Sequence, residues 1–247
     1  MVEPHINVDS LKAAIIEPAS TLLGAQKIIE KEVRHKSLDA YKRLTEAHML
    51  STGAIGSALW RVNGKRSLSE QETADNDRSA LVASFVIGLG IVEETITGGY
   101  YLQAAALLRQ ELETLAALAE IDLGTRQEGR VPNVRSIEQV KHLYGDLSAA
   151  AHVANRNILE LATSRLKPLD GIPTDTVVTR YIPAFDETIA RRLYSTHILM
   201  MLLLAEQLDA NIARSHGEGM TELERNCLQA ALRILFEEKC IDLIDAA

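Results

Sequence analysis

Hydrophobic residues recur at the period of an α-helix along almost the whole chain, and few helix-breaking residues interrupt them. The 247 residues include 6 prolines and 14 glycines, and one run, Thr176 to Thr179, is convincingly β-branched. Because strands need alternating or β-branched segments, this pattern leaves little room for a sheet. The sequence therefore predicts an all-α fold, an up-and-down bundle of about five to seven helices.

Turn and capping signals divide this pattern into segments. Gly98-Gly99 predicts a tight helical hairpin, because glycine adopts left-handed dihedral angles at low cost. Capping boxes beginning at Ser69, Ser136 and Thr221 predict helix starts. The predicted organisation is one helical domain over 1–247, with a long N-terminal helix at 19–62, a core at 69–165, a Pro-rich irregular loop from Pro168 to Pro183, and C-terminal helices at 184–245.

Composition and charge narrow the range of partners. The net charge is -8, which argues against a broad basic surface for DNA. The 2 cysteines cannot form a disulfide framework and favour a reducing compartment. The most apolar runs, 80–92 and 198–205, are shorter than the roughly 18 residues that cross a bilayer, and no signal peptide is evident. We therefore expect a cytoplasmic protein that binds neither a membrane nor DNA.

The common cofactor and metal motifs are absent from the sequence. The chain has no GxxxxGK[ST] loop, CxxC or HExxH motif, and no repeated ExxH pairs of the di-iron bundles. The Gly-x-Gly at Gly88 and Gly90 lies in a helical pattern and lacks a third glycine. The sequence thus predicts no cofactor and no bound metal, and leaves open whether the protein is an enzyme.

Two helical faces carry the polar residues that stand out. Arg109 and Glu113 are four residues apart on one predicted helix, beside an apolar stripe. Tyr144, Ser148 and His152 have the same spacing on the next segment, among small residues that permit close packing. If the two helices pack antiparallel, these five side chains converge.

This convergence has two interpretations. In the first, the side chains form an interhelical hydrogen-bonded network, because buried Tyr and His tips need partners. In the second, they form a site in which His152 is an acid, a base or a polar contact and Arg109 binds an anion. A nucleophilic Ser148 is disfavoured, since no nucleophile elbow surrounds it.

The segments Leu-Leu-Arg-x-x-Leu-Glu (from Leu107) and Tyr-x-x-Leu-Ser-x-x-x-His (from Tyr144) resemble uncharacterised bacterial helical proteins near the HEPN-like group, the higher eukaryotes and prokaryotes nucleotide-binding proteins. The resemblance covers residues 100–156. It implies metal-independent RNA cleavage by an arginine and a histidine on one helix, usually paired across a dimer. Arginine–histidine spacings of that kind occur from Arg43 to His48, from Arg135 to His142, and from Arg191 or Arg192 to His197, but not before His152.

Three functions follow as hypotheses. The first is a non-catalytic interaction protein that forms a homo-oligomer, because long apolar helices bury area well against a second copy. The second is a HEPN-like nucleotide- or RNA-binding protein or ribonuclease, in a defence or toxin–antitoxin setting. The third is a small-ligand protein in which Arg109 binds an anionic group, while Tyr144 and His152 fix its orientation. The arginines of the 124–135 connector form either a solvated loop or a contact for an anionic partner.

Overall fold

The computed structural model describes residues 8–65, 72–151, 160, 163 and 180–241. Within these residues the protein is an all-α bundle without strands, as predicted. Seven α-helices lie in the described part of the chain: α1 (Val8–Ala40), α2 (Lys42–Val62), α3 (Glu72–Thr97), α4 (Tyr101–Asp122), α5 (Leu143–Ala151), α6 (Glu187–His216) and α7 (Glu222–Glu237). A 3-10 turn at Val134–Ser136 precedes α5.

Helices α2, α3, α4 and α6 surround a common core. Helix α5 packs on α4, and α7 packs on α2. The fully buried side chains are mostly Leu, Ile, Met and Ala, with two tyrosines, Tyr41 and Tyr194, among the largest. Burial of these side chains supplies the main driving force for folding, and the small residues allow the helices to approach closely.

The hairpin between α3 and α4 forms at the predicted glycines. Gly99 has a φ of 83°, which favours glycine, and a Cβ there would lie 2.8 Å from the carbonyl oxygen of Ala184. The turn therefore needs glycine for both its dihedral angle and its close contact with the segment before α6. The predicted capping box at Thr221 is also present, with reciprocal hydrogen bonds between Thr221 and Glu224.

Several predicted helix boundaries differ from the structure. The segment predicted as one helix over 19–62 is two helices, and the first already begins at Val8. The break is at Tyr41, which leaves helical dihedral angles and places its ring 5.1 Å from that of Tyr194 in the core. Core packing of this ring thus overrides the local helical pattern.

The capping box predicted at Ser136 is wrong, because the next α-helix begins only at Leu143. The Ser136 hydroxyl donates instead to the carbonyl of Asn133, within the 3-10 turn. The last helix ends at Glu237, short of the predicted end near Asp245. The box at Ser69 and most of the Pro-rich loop lie outside the described residues. Residues 180–183 of that loop are irregular, as predicted, whereas the helix predicted from Ala184 begins only at Glu187.

One described helix is long and apolar enough to cross a membrane by length and composition. It is the segment Ala74–Thr97 of α3, and a third of its most apolar window is buried in the bundle. Its Arg78 is buried and forms ion pairs with Asp75 and with Asp122 of α4. A single helix of this kind is also typical of the core of a soluble protein.

Candidate functional site

Three of the five predicted site residues meet where α5 packs on α4. Nε of Arg109 donates to Oε1 of Glu113 at 2.9 Å. Nη2 of the same arginine lies 3.4 Å from the Tyr144 hydroxyl, and that hydroxyl donates to Glu113 at 3.3 Å. The guanidinium carbon lies 5.4 Å from the centre of the Tyr144 ring, within the range of a cation–π contact. The group connects α4 to α5 through side chains that satisfy one another.

This network lies at the partly exposed edge of the bundle. The side chains of Arg109 and Glu113 are 20% and 27% exposed, so solvent reaches both. Glu113 already occupies one side of the guanidinium fork, and an incoming anion would compete with it. The geometry therefore matches the interhelical network, and the role of Arg109 as an anion-binding residue stays a prediction.

The other two predicted site residues, Ser148 and His152, do not join this network among the described residues. Ser148 follows Tyr144 by one turn of α5, and its hydroxyl is buried without a hydrogen-bond partner among the described residues. His152 lies outside the described residues, directly after α5 ends at Ala151. Its predicted role is accordingly untested by the geometry.

The connector arginines are largely engaged by their own loop. Arg126 contacts the Glu120 carboxylate at 3.3 Å and the carbonyl of Arg130 at 2.9 Å. The other Glu120 oxygen accepts the backbone amide of Asn133 at 2.7 Å. Glu120 thus fixes the loop against the end of α4, which favours the structural interpretation of this cluster.

A second polar cluster, not predicted from the sequence, lies in the middle of the bundle. Nδ1 of His197 on α6 is 2.9 Å from Oε2 of Glu111 on α4, and His197 is fully buried. His48 of α2 lies beside it, with 5.3 Å between the two ring centres. The His48 ring also stacks on Tyr194, at 5.5 Å. We call His48, Glu111, Tyr194 and His197 the core cluster.

Burial shifts the pKa values of two members of the core cluster, His48 and Glu111. Burial, with a smaller effect of the neighbouring His197, lowers the pKa of His48 from 6.5 to about 4, so His48 is neutral at pH 7. Burial also raises the pKa of Glu111, although contact with His197 opposes this effect.

The core cluster escapes sequence analysis because its members are far apart along the chain. Glu111 and His197 are 86 residues apart, and neither belongs to a recognisable motif. The available signal was the position of Glu111 between Leu108 and Leu112, which places a carboxylate on an apolar helix face. A buried carboxylate needs a partner from another helix.

The buried positions of His48 and His197 show whether each histidine meets the arginine that precedes it at the HEPN-like spacing. His48 is buried, whereas Arg43 points to the surface and pairs with Glu46 and Glu237. Likewise, His197 is buried, whereas Arg192 is exposed and pairs with Asp146, and Arg191 pairs with Glu238. None of these arginines contacts its histidine, so neither spacing forms a catalytic pair.

Comparison with known proteins adds no relative to these observations. No family model, curated protein or solved structure matches the chain. Among the described residues, no three His, Cys, Asp or Glu side chains are arranged to hold a metal ion. The HEPN-like resemblance therefore stays a prediction.

Proposed function

We propose that this chain is a non-catalytic interaction protein that forms a homodimer through the first half of α1. The carrying observation is an apolar stripe on the first half of α1, formed by Ile15, Ile16, Leu22 and Leu23 around Ala19, that faces solvent although the second half of the same helix packs against the bundle. In the second half of the helix, Val33 and Ser37 are buried against the bundle, where Ser37 donates to the carbonyl of Thr97.

In the first half, the four aliphatic side chains of the stripe face solvent. Four aliphatic side chains are exposed there: Ile15, Ile16, Leu22 and Leu23. The exposed fraction is 61% for Ile15 and 59% for Leu23. At 100° per residue these side chains and Ala19 fall within an arc of about 120°, aligned with Val33. Isolated exposed leucines are ordinary, but a helical stripe of this length is typical of an interaction face.

The stripe is self-complementary, which favours a second copy as the partner. The sequence from residue 15 to 23 reads Ile-Ile-Glu-Pro-Ala-Ser-Thr-Leu-Leu, with two aliphatic residues on each side of the central Ala19. A two-fold axis through Ala19 pairs Ile15 with Leu23 and Ile16 with Leu22 of an antiparallel partner helix. The small Ala19 allows close approach at the crossing, and one patch serves both subunits.

Cysteine cross-linking tests this register. We expect Ala19→Cys to give a disulfide-linked dimer under mild oxidation, because the two copies of residue 19 face each other across the axis. The matched control is Thr21→Cys, which lies on the same exposed helix but on its opposite face. Non-reducing electrophoresis is the measurement, and the unsubstituted chain controls for Cys227 and Cys240.

Equal cross-linking of the two variants would contradict the proposed face, and no cross-linking of Ala19→Cys would contradict the proposed register. Combining Leu22→Glu and Leu23→Glu with Ala19→Cys should abolish the linked species, since carboxylates would then enter the apolar contact. Circular dichroism checks that the variant chains keep their helices.

The HEPN-like function has weaker support from the described residues. Its candidate arginine, Arg109, is already bound by Glu113 and Tyr144, and the net charge of -8 disfavours tight non-specific binding of RNA. A nucleotide or RNA ligand therefore stays the alternative hypothesis, dependent on His152.

A further inference from the structure

We propose that a groove between α5, α6 and α7 binds an amphipathic carboxylate, a hydrocarbon chain with one anionic end. The groove has a volume of about 770 Å³, within the range of small-ligand sites. None of its lining residues belongs to α1, so the proposal does not depend on the proposed dimer.

The floor of the groove is apolar and open to solvent. Leu199 of α6 and Leu232 and Phe236 of α7 line it, and the latter two side chains are each 45% exposed. Leu143 at the start of α5 and Ile241 after α7 extend this surface. A hydrocarbon chain that covered these side chains would remove apolar area from water, which is favourable.

The charges that line the groove have one sign. Arg192 and Arg233 lie among the lining residues, and none of the described lining residues is acidic. In a chain of net charge -8, such a local excess of cationic side chains is selective for an anion. By contrast, the groove beside α2 and α3 contains both Lys65 and Asp75 and so has no preferred sign.

The two arginines are accessible to a ligand. Arg233 forms no ion pair or hydrogen bond with any residue that the structure describes, and it lies on the exposed side of α7. Arg192 pairs with Asp146 at 2.9 Å, but both side chains are about two-thirds exposed, and such pairs are weak. We therefore assign the carboxylate to Arg233, with Arg192 as the second cationic side chain that lines the groove.

Calorimetric titration with decanoate tests the proposal. We expect one decanoate per chain to bind, and Arg233→Gln to weaken the affinity about tenfold, as loss of a charge-assisted hydrogen bond does. Arg135→Gln is the matched control, because Arg135 is also exposed but does not line the groove. Arg192→Gln provides a second rim variant if Arg233→Gln alters folding.

Decyltrimethylammonium is the control ligand, because it has the same ten-carbon chain as decanoate but a positively charged end. Comparing the two ligands separates recognition of the anion from adsorption of hydrocarbon to the apolar surface. An acidic protein attracts this cation over most of its surface, so weaker binding of the cation would support a site specific for anions. The proposal would be overturned if decanoate does not bind, if Arg233→Gln and Arg135→Gln bind it equally, or if the cation binds as tightly as decanoate.

Discussion

Replacing Glu111 with leucine is expected to lower the free energy of unfolding by about 3 kcal/mol, because it leaves the buried Nδ1 of His197 without its partner. The side chain volume is nearly kept, so the loss reports the missing carboxylate rather than a cavity. Glu111→Gln, which retains an acceptor oxygen at the same position, should lose less than about 1 kcal/mol. Urea unfolding followed by circular dichroism measures both values.

The matched control for this prediction is Glu113→Leu on the same helix. Its ion pair with Arg109 is partly exposed, and such pairs contribute about 0 to 1 kcal/mol. The double variant Glu111→Leu with His197→Leu should recover part of the loss, since neither buried group is then unpaired. Equal losses for Glu111→Leu and Glu113→Leu would contradict a stabilising role of the buried pair. So would a loss in the double variant equal to the sum of the losses in Glu111→Leu and His197→Leu.

Acidification is expected to destabilise the protein between pH 6.5 and pH 4 through His48. The pKa of His48 is about 4 in the folded protein, against an ordinary value of 6.5, so the unfolded chain binds a proton first as the pH falls. The contribution of His48 to stability is thus fully present above pH 6.5 and lost towards pH 4, by about 3 kcal/mol in total.

Comparison with His48→Leu isolates this effect. The partly buried carboxyl of Glu93 and the buried carboxyl of Glu111 have raised pKa values, so their contribution to stability increases as the pH falls, opposite to that of His48. Both proteins retain those carboxyls, so the difference between their unfolding free energies reports His48. The variant should lose less stability than the unsubstituted protein from pH 6.5 to pH 4. Parallel curves would contradict the buried, neutral state of His48.

Local signals in the sequence predicted the turns well. The Gly98-Gly99 hairpin and the Thr221 capping box depend on residues within one turn of each other, so the sequence alone specifies them. The box at Ser136 has the same pattern but no helix follows it, because the chain there forms a 3-10 turn and Val140 is buried. Tertiary packing decides such cases, as it does at Tyr41.

The candidate sites also divide into those that local sequence predicts and those that depend on tertiary packing. Arg109, Glu113 and Tyr144 could be selected from spacing, because residues four apart on a helix share a face. The contact between Glu111 and His197, and the groove that joins Leu143, Arg192 and Arg233, depend on how three or more helices pack. No local pattern encodes that packing, and for that reason the sequence did not predict them.

The molar mass of the unsubstituted protein tests the proposed homodimer most directly. Size-exclusion chromatography with light scattering at micromolar concentration should give twice the 27.1 kDa of one chain. The combined Leu22→Glu and Leu23→Glu variant should give the mass of one chain under the same conditions. A mass of 27.1 kDa for the unsubstituted protein across the micromolar range would contradict the dimer.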